Sequence, residues 1–223
     1  MLSKRILKKI PIVKRVYASI MKIFFKNKKI KFKFFGLNLV GNFSEPMDKE
    51  IFLFNNYENI QINFLINSIK KYNLNYFIDI GANSGIYSLI VGDKFHDIKI
   101  KSFEPVKKTV AKFKNNLKLN NKLKNLRIYK FGLSNKNSKL LMKAKIRDGY
   151  IQSSGYGVVK KKDNLKNLHM ESHIFKIGDR IIKLRNKNIS IKIDAEGHEY
   201  EVLQGLKKLL KNNKIFLQIE IFN

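Results

Sequence analysis

The chain has 223 residues, 44% of them hydrophobic and 12% aromatic, which is enough for one sizeable core and too apolar for a disordered polymer. It contains no cysteine, which excludes disulfides, thiolate metal sites and cysteine nucleophiles and fits a reducing compartment. Its formal net charge is +29, yet only Arg5, Arg15, Arg127, Arg147, Arg180 and Arg185 are arginine and the lysines run from end to end. Arginine is the favoured residue for bidentate phosphate and base recognition, so this unclustered excess reads as compositional bias rather than a nucleic-acid footprint.

The first segment, MLSKRILKKIPIVKRVYASIMKIFF, is basic, with Leu2, Ile6, Ile10, Val13, Tyr17, Ile20 and Phe24 at steps of three and four along one helical face that Pro11 interrupts. Its longest uncharged stretch, 16–21, is far shorter than the roughly 20 residues of a bilayer span. It also lacks the unbroken apolar centre of a signal peptide. Two settings fit it equally: packed on the domain, or lying on an anionic membrane surface. The expected location is the cytoplasm, with peripheral membrane contact through residues 1–26 as the alternative setting for this helix.

Residues 29–42, KIKFKFFGLNLVGN, alternate Ile30, Phe32 and Phe34 around Gly36, then Leu37 and Leu39, the pattern of a short hairpin. Ile62, Leu65, Ile66 and Ile69 predict a helix over 58–72. Residues 1–72 are therefore read as an N-terminal extension and 73–223 as the main domain.

From Tyr76 onward apolar strands (76–80, 98–103, 126–131, 189–194 and 214–221) alternate with helical patterns near 84–92, 106–119 and 198–210. That alternation predicts an α/β fold, a mostly parallel Rossmann-like sheet covered on both faces. Between Ser138 and Lys187 the pattern loosens: LLMKAKI and YGVV suggest a hairpin, and SSGYG a mobile loop. Such an insertion near the carboxyl edge of the sheet is where an acceptor is read.

Three stretches gather at that edge. In DIGANSG, residues 79–85, Gly81 and Gly85 let the backbone turn sharply and admit a ligand. The dinucleotide pattern GxGxxG is not met, because its middle glycine falls at Asn83, and Asp79 would repel a phosphate and attract an ammonium or sulfonium. Glu104, in SFEP, lies 19 positions beyond Gly85, the offset of an acid that accepts hydrogen bonds from ribose hydroxyls. Together these describe a cationic nucleoside, which S-adenosylmethionine fits; the plainer reading is that Asp79 and Glu104 cap helices.

In IKIDAEGHEYEVLQGL, residues 191–206, a strand ends at Asp194 with Glu196, His198 and Glu199 opening a helix. Asp194, Glu196 or His198 could take the proton of a hydroxyl nucleophile. The acids equally suit a helix dipole. Glu220, in LQIEI, either faces the same crevice as a substrate contact or is a buried acid with a local partner. His96, His169, His173 and His198 lack HExxH-type spacing, and Asp194 with Glu196 supplies too few oxygens for a divalent ion, so no metal is expected.

DIGANSGIYSL (79–89), FEP (103–105), IKIDAEGHEYEVLQGL (191–206), QIEI (218–221) and, more loosely, NNYE (55–58) resemble the FkbM-type methyltransferase family, a branch of the class I S-adenosylmethionine-dependent enzymes. The resemblance implies a Rossmann-like methyltransferase domain, with Asp79, Gly81, Asn83 and Gly85 around the methionyl part of the cofactor and Glu104 on its ribose. It implies O-methylation of a sugar, glycan or small-metabolite hydroxyl. It also implies that two further strands would normally follow the one ending near Phe222, so the sheet is expected to lack its last two strands and the chain to be truncated. Two other readings are weighed against this: a nucleic-acid methyltransferase, disfavoured by DAEG where a DPPY-like segment would grip an adenine, and a non-catalytic basic protein with a vestigial cofactor fold.

Overall fold

A computed structural model describes residues 11–121, 123–161 and 164–221. The apolar positions at Leu2, Ile6 and Ile10, and the chain end at 222–223, lie outside the described residues.

The described part of helix α1 runs Pro11–Phe25 and packs Tyr17, Ala18, Met21 and Phe25 onto Ile30, Phe43, Leu53 and Phe54. The packed face is rotated from the one read by spacing: Tyr17 turns inward, whereas Val13, Ile20 and Phe24 stay exposed. Strands β1 (Lys29–Phe34) and β2 (Leu37–Asn42) form the expected hairpin, closed at Phe35 and Gly36, both at positive φ. Helix α2 (Pro46–Phe54), unforeseen from the sequence, starts on a proline with Asp48 in its first turn and stops at left-handed Asn55. Helix α3 (Asn59–Lys71) follows where expected.

The central sheet contains β3 (Tyr76–Ile80), β4 (Lys99–Phe103), β5 (Leu126–Tyr129), β11 (Asn188–Ile193) and β12 (Lys214–Ile219) in the order β12-β11-β3-β4-β5, every pair parallel. Helices α4 (Ile86–Lys94) and α5 (Lys107–Leu119) connect β3 to β4 and β4 to β5. With α3 and the hairpin they cover one face, where Leu65, Leu89, Phe113, Phe34 and Leu37 share a core. The chain then returns to the other side of β3, so strand order reverses between β3 and β11, the position at which open α/β sheets leave a crevice. Among the described residues β12 is an edge strand.

The opposite face carries α6 (Gly178–Ile181), α7 (Glu199–Gly205) and α8 (Lys207–Lys211), with Ile182, Val202, Leu206 and Leu209 on Ile78, Ile80, Ile189, Ile191 and Ile193. The single helix expected over 198–210 is two helices meeting at Leu206. At that break Gly205 comes so close to Ser134 that a Cβ would sit 2.0 Å from the Ser134 carbonyl.

The loosely patterned region forms a second sheet from β6 (Gly132–Ser134), β7 (Ser138–Arg147), β8 (Tyr150–Ile151), β9 (Gly157–Val158) and β10 (Leu168–Ile177). The LLMKAKI segment does pair with YGVV, but only at Met142 and Lys143; the main partner of β7 is β10, antiparallel from Ser138 to Lys145. No described helix is long and apolar enough to cross a membrane.

Candidate cofactor and acceptor site

The turn after β3 is fastened to the end of β4: the N–H groups of Gly81 and Ala82 both donate to the Phe103 carbonyl at 3.0 Å. Gly81 adopts φ 76°, and a Cβ there would lie 1.7 Å from the Asp194 carbonyl, so only glycine lets β3 and β11 approach at this point. Asn83, also left-handed, donates its N–H to Glu104 Oε2 at 2.9 Å, and the Val106 N–H donates to Glu104 Oε1 at 2.9 Å. Gly85 acts differently, since a Cβ on it would strike the Phe113 ring; it seats α5 rather than lining the crevice.

Ile80, Gly81, Asn83 and Glu104 line a pocket together with Asp194 and Glu196, and Ser153, Gly155 and Tyr156 also line it. Glu104 is buried, and burial pushes its carboxyl up to about 7 against the two N–H donors that favour the carboxylate. Each Glu104 oxygen accepts one backbone N–H and keeps further lone-pair capacity, while Asn83 Oδ1 is buried without a partner. Unspent acceptors beside a glycine turn suit the hydroxyls and ammonium of S-adenosylmethionine. The cavity there is about 60 Å³, smaller than the few hundred Å³ typical of a small-molecule site.

Asp79 is placed behind this pocket. Its carboxylate points between sheet and helix, with Oδ2 accepting from Ser88 Oγ at 2.6 Å, and Ser88 Oγ lies 2.7 Å from Ser102 Oγ. The register explains why: Gln218, Lys192, Asp79 and Ser102 are successive cross-strand neighbours, a polar row across four strands on the α4 face. Lys192, almost fully buried, donates to Asp194 Oδ2 at 2.8 Å and lies 4.6 Å from the Tyr87 ring centroid. Burial pulls its ammonium down, but Asp194 and Asp79 outweigh burial and hold it above its ordinary value. Burial raises the Asp79 carboxyl, offset in part by Lys192 and Ser88.

Further acids converge on Asp194. Burial, then Asp194 and Glu199, raise Glu196, which stands at φ 50° on the pocket wall. Glu220, just past β12 and exposed at the surface, is raised by partial burial and by Asp194 and Glu58. Glu58 accepts the Tyr87 hydroxyl at 2.6 Å, so the NNYE segment is brought to the same group, and Tyr57 is raised by burial and by Glu58.

His198 is not brought there. Its Nε2 is 3.0 Å from Ser134 Oγ and its ring packs edge-on to Phe175, between the two sheets, where burial depresses its basicity. The left-handed pair Glu196 and Gly197 swings the chain away before His198, while Glu199 closes the turn by accepting the Ala195 and Gly197 N–H groups at 3.0 Å each.

Two residues that the sequence reading missed complete the site. Lys192 had a visible signal, a lysine between buried isoleucines in ISIKID. Glu45 had none: it is buried at the start of α2 and accepts the Ser153 N–H at 2.6 Å, with Ser154 N and Oγ at 3.3 and 3.2 Å. The SSGYG segment is therefore tied down across 108 residues of sequence rather than free.

The methyltransferase FkbM domain family matches residues 79–223, which takes in the pocket's turn, Glu104, Asp194 and Glu196. Similar solved structures include a SAM-dependent methyltransferase from Agrobacterium tumefaciens, with 14% identity, 46% of this chain and 32% of that chain covered, and a TM-score of 0.36. Another is precorrin-6y C5,15-methyltransferase from Geobacter metallireducens GS-15, with 13% identity, 70% and 59% covered, and a TM-score of 0.39. The chain thus spans about a third of the first protein's length and under two thirds of the second's. No curated protein sequence matches it. A parallel sheet reversing at β3, an acid at the end of β4 and a glycine turn facing an acidic strand end agree with the family match: the chain belongs to the FkbM methyltransferase family, whose cofactor is S-adenosylmethionine.

Proposed function

We propose that the protein is an O-methyltransferase acting on a hydroxyl of a sugar, glycan or small metabolite. The observation that carries this reading is the convergence of Gly81, Asn83 and Glu104 with Asp194 and Glu196 on one pocket beside the strand-order reversal. S-adenosylmethionine supplies a methyl group already activated by its sulfonium, which leaves the chain the work of orientation and proton removal.

Glu104 accepts hydrogen bonds from ribose hydroxyls, and Asn83 Oδ1 offers an acceptor beside it. Asp194 is held by Lys192 and serves to orient the acceptor hydroxyl. Glu196 takes the proton, since its raised affinity for protons brings it nearer the working pH. Asp79 acts from behind, keeping Lys192 charged and the row rigid. The loop over the pocket, tied by Glu45, excludes water once the substrates are in place.

The test is transfer of labelled methyl from S-adenosylmethionine to hydroxyl-bearing glycans and metabolites. Glu196→Gln is expected to lower kcat by about 10²-fold with cofactor affinity unchanged. Transfer that Glu196→Gln leaves at wild-type rate would remove Glu196 from the chemistry, and methylation confined to nitrogen acceptors would overturn the O-methyl reading.

A further inference from the structure

Helix α1 has two apolar sides and one basic side. Its inner residues pack on α2 and the hairpin, but Ile12, Val16, Ile20 and Ile23, with Val13 and Phe24 alongside, form a second stripe that no other described residue covers, Ile12 at 73% and Ile23 at 79% exposure. Scattered exposed hydrophobics are ordinary; six along one helix face are not. Arg15, Lys22 and Lys26 run down the adjoining side.

Beside this helix lies a cavity of about 240 Å³ between α1, α2 and the β7–β8 turn, lined by Lys22, Lys49 and Arg147 among others. Its one lining acid among the described residues, Asp148, is already bonded to Lys22 at 2.6 Å. Lys49 is crowded enough that burial, Arg147 and Lys22 together depress its ammonium. Three cations around a cavity with one committed acid call for an added anion.

We propose that the exposed stripe of α1 and this cavity together form a docking surface for a bilayer containing anionic lipid, the apolar residues entering the acyl boundary and the cations receiving lipid phosphates. An amphipathic helix with a basic flank has the composition of an interfacial segment. A two-fold dimer through the same face is the competing occupant, and it would bring two copies of one cation group together. The lysine excess spread over the chain attracts anions in general; on α1 an uncovered apolar stripe is added to it. Gln152 lines the cavity and its neighbour Ser153 lines the candidate cofactor pocket, so a membrane held here lies next to that pocket's lining.

The experiment is co-sedimentation of the full chain with phosphatidylcholine vesicles, with and without about a third phosphatidylglycerol. Binding is expected only with the anionic lipid. Lys49→Glu combined with Arg147→Glu should weaken it by about tenfold or more, whereas Lys183→Glu combined with Arg185→Glu, exposed charges outside this face, should change it little. Ile20→Ser with Ile23→Ser should also weaken it, and because both side chains are solvent-exposed the unfolding midpoint should hold. Absence of binding to anionic vesicles, or equal weakening by the two charge-reversed pairs, would overturn the proposal. So would a dimer in solution that Ile20→Ser with Ile23→Ser dissolves.

Discussion

On the face that carries α7 and α8, the middle strands present Ile78, Ile80, Ile189, Ile191 and Ile193; on the face that carries α4, the same strands present Asp79, Ser190 and Lys192, with Ser102 alongside. Both layers are buried. The first contributes through area removed from water, roughly 1.5–3 kcal/mol for each large side chain. The second adds little by burial and depends on pairing, because a buried charge without its partner costs several kcal/mol. The two faces therefore differ in kind: the isoleucine face would serve any doubly covered sheet, whereas the polar row is joined through Lys192 to Asp194, which lines the pocket.

Changing one residue on each side of a single strand tests this contrast. Lys192→Met keeps the length of the side chain and removes the cation shared by Asp79 and Asp194, so it should cost about 3–5 kcal/mol in urea unfolding near pH 8. The loss should shrink on acidification, since the buried Asp79 carboxyl, already raised by burial, then takes up a proton. A loss that does not depend on pH would place the role of Lys192 in packing.

The next effect concerns Glu104. Its folded pKa, about 7, lies above its ordinary 4.5, so the stability tied to its proton is fully present below the ordinary value and is lost as pH rises through 7. Ribose hydroxyls prefer the carboxylate, so S-adenosylmethionine affinity should run the other way, rising up to about tenfold from pH 6 to pH 8. Glu104→Gln should flatten that profile; an unchanged pH dependence in this variant would assign it to Glu196 or Glu220. The smallest change is Ile191→Val on the apolar face, about 1 kcal/mol with no pH dependence and cofactor affinity retained.

How much of the fold and site was legible in the sequence follows from the range of the interactions. The turn from Asp79 to Gly85 and the acid at Glu104 were readable because strand, turn and helix follow one another in sequence, and Gly81 and Asn83 do stand at positive φ. The role of Asp79 was not, because its neighbours Lys192 and Ser102 come from other strands and only the register brings them together. Strand β10 carries little periodic signal, because His169, Glu171 and His173 occupy the alternate positions that an apolar row would fill, although His173 is buried. Helix α2 is too short for periodicity to announce. His198 looked like a site residue by proximity to Asp194, and two left-handed residues carry it elsewhere. On α1 the spacing found the apolar residues but not which side packs, since the hairpin and α2 decide that.

The pocket between Gly81 and Glu104 either holds S-adenosylmethionine or the site built around it falls. Calorimetric titration of the wild-type chain and of Glu104→Ala, each first shown to unfold cooperatively, measures this binding without reference to the acceptor. Wild type should bind, and the variant should lose at least about tenfold in affinity with the loss of a charged hydrogen-bond acceptor. Equal affinity in the two proteins, or no binding by the folded wild type, would contradict the assignment.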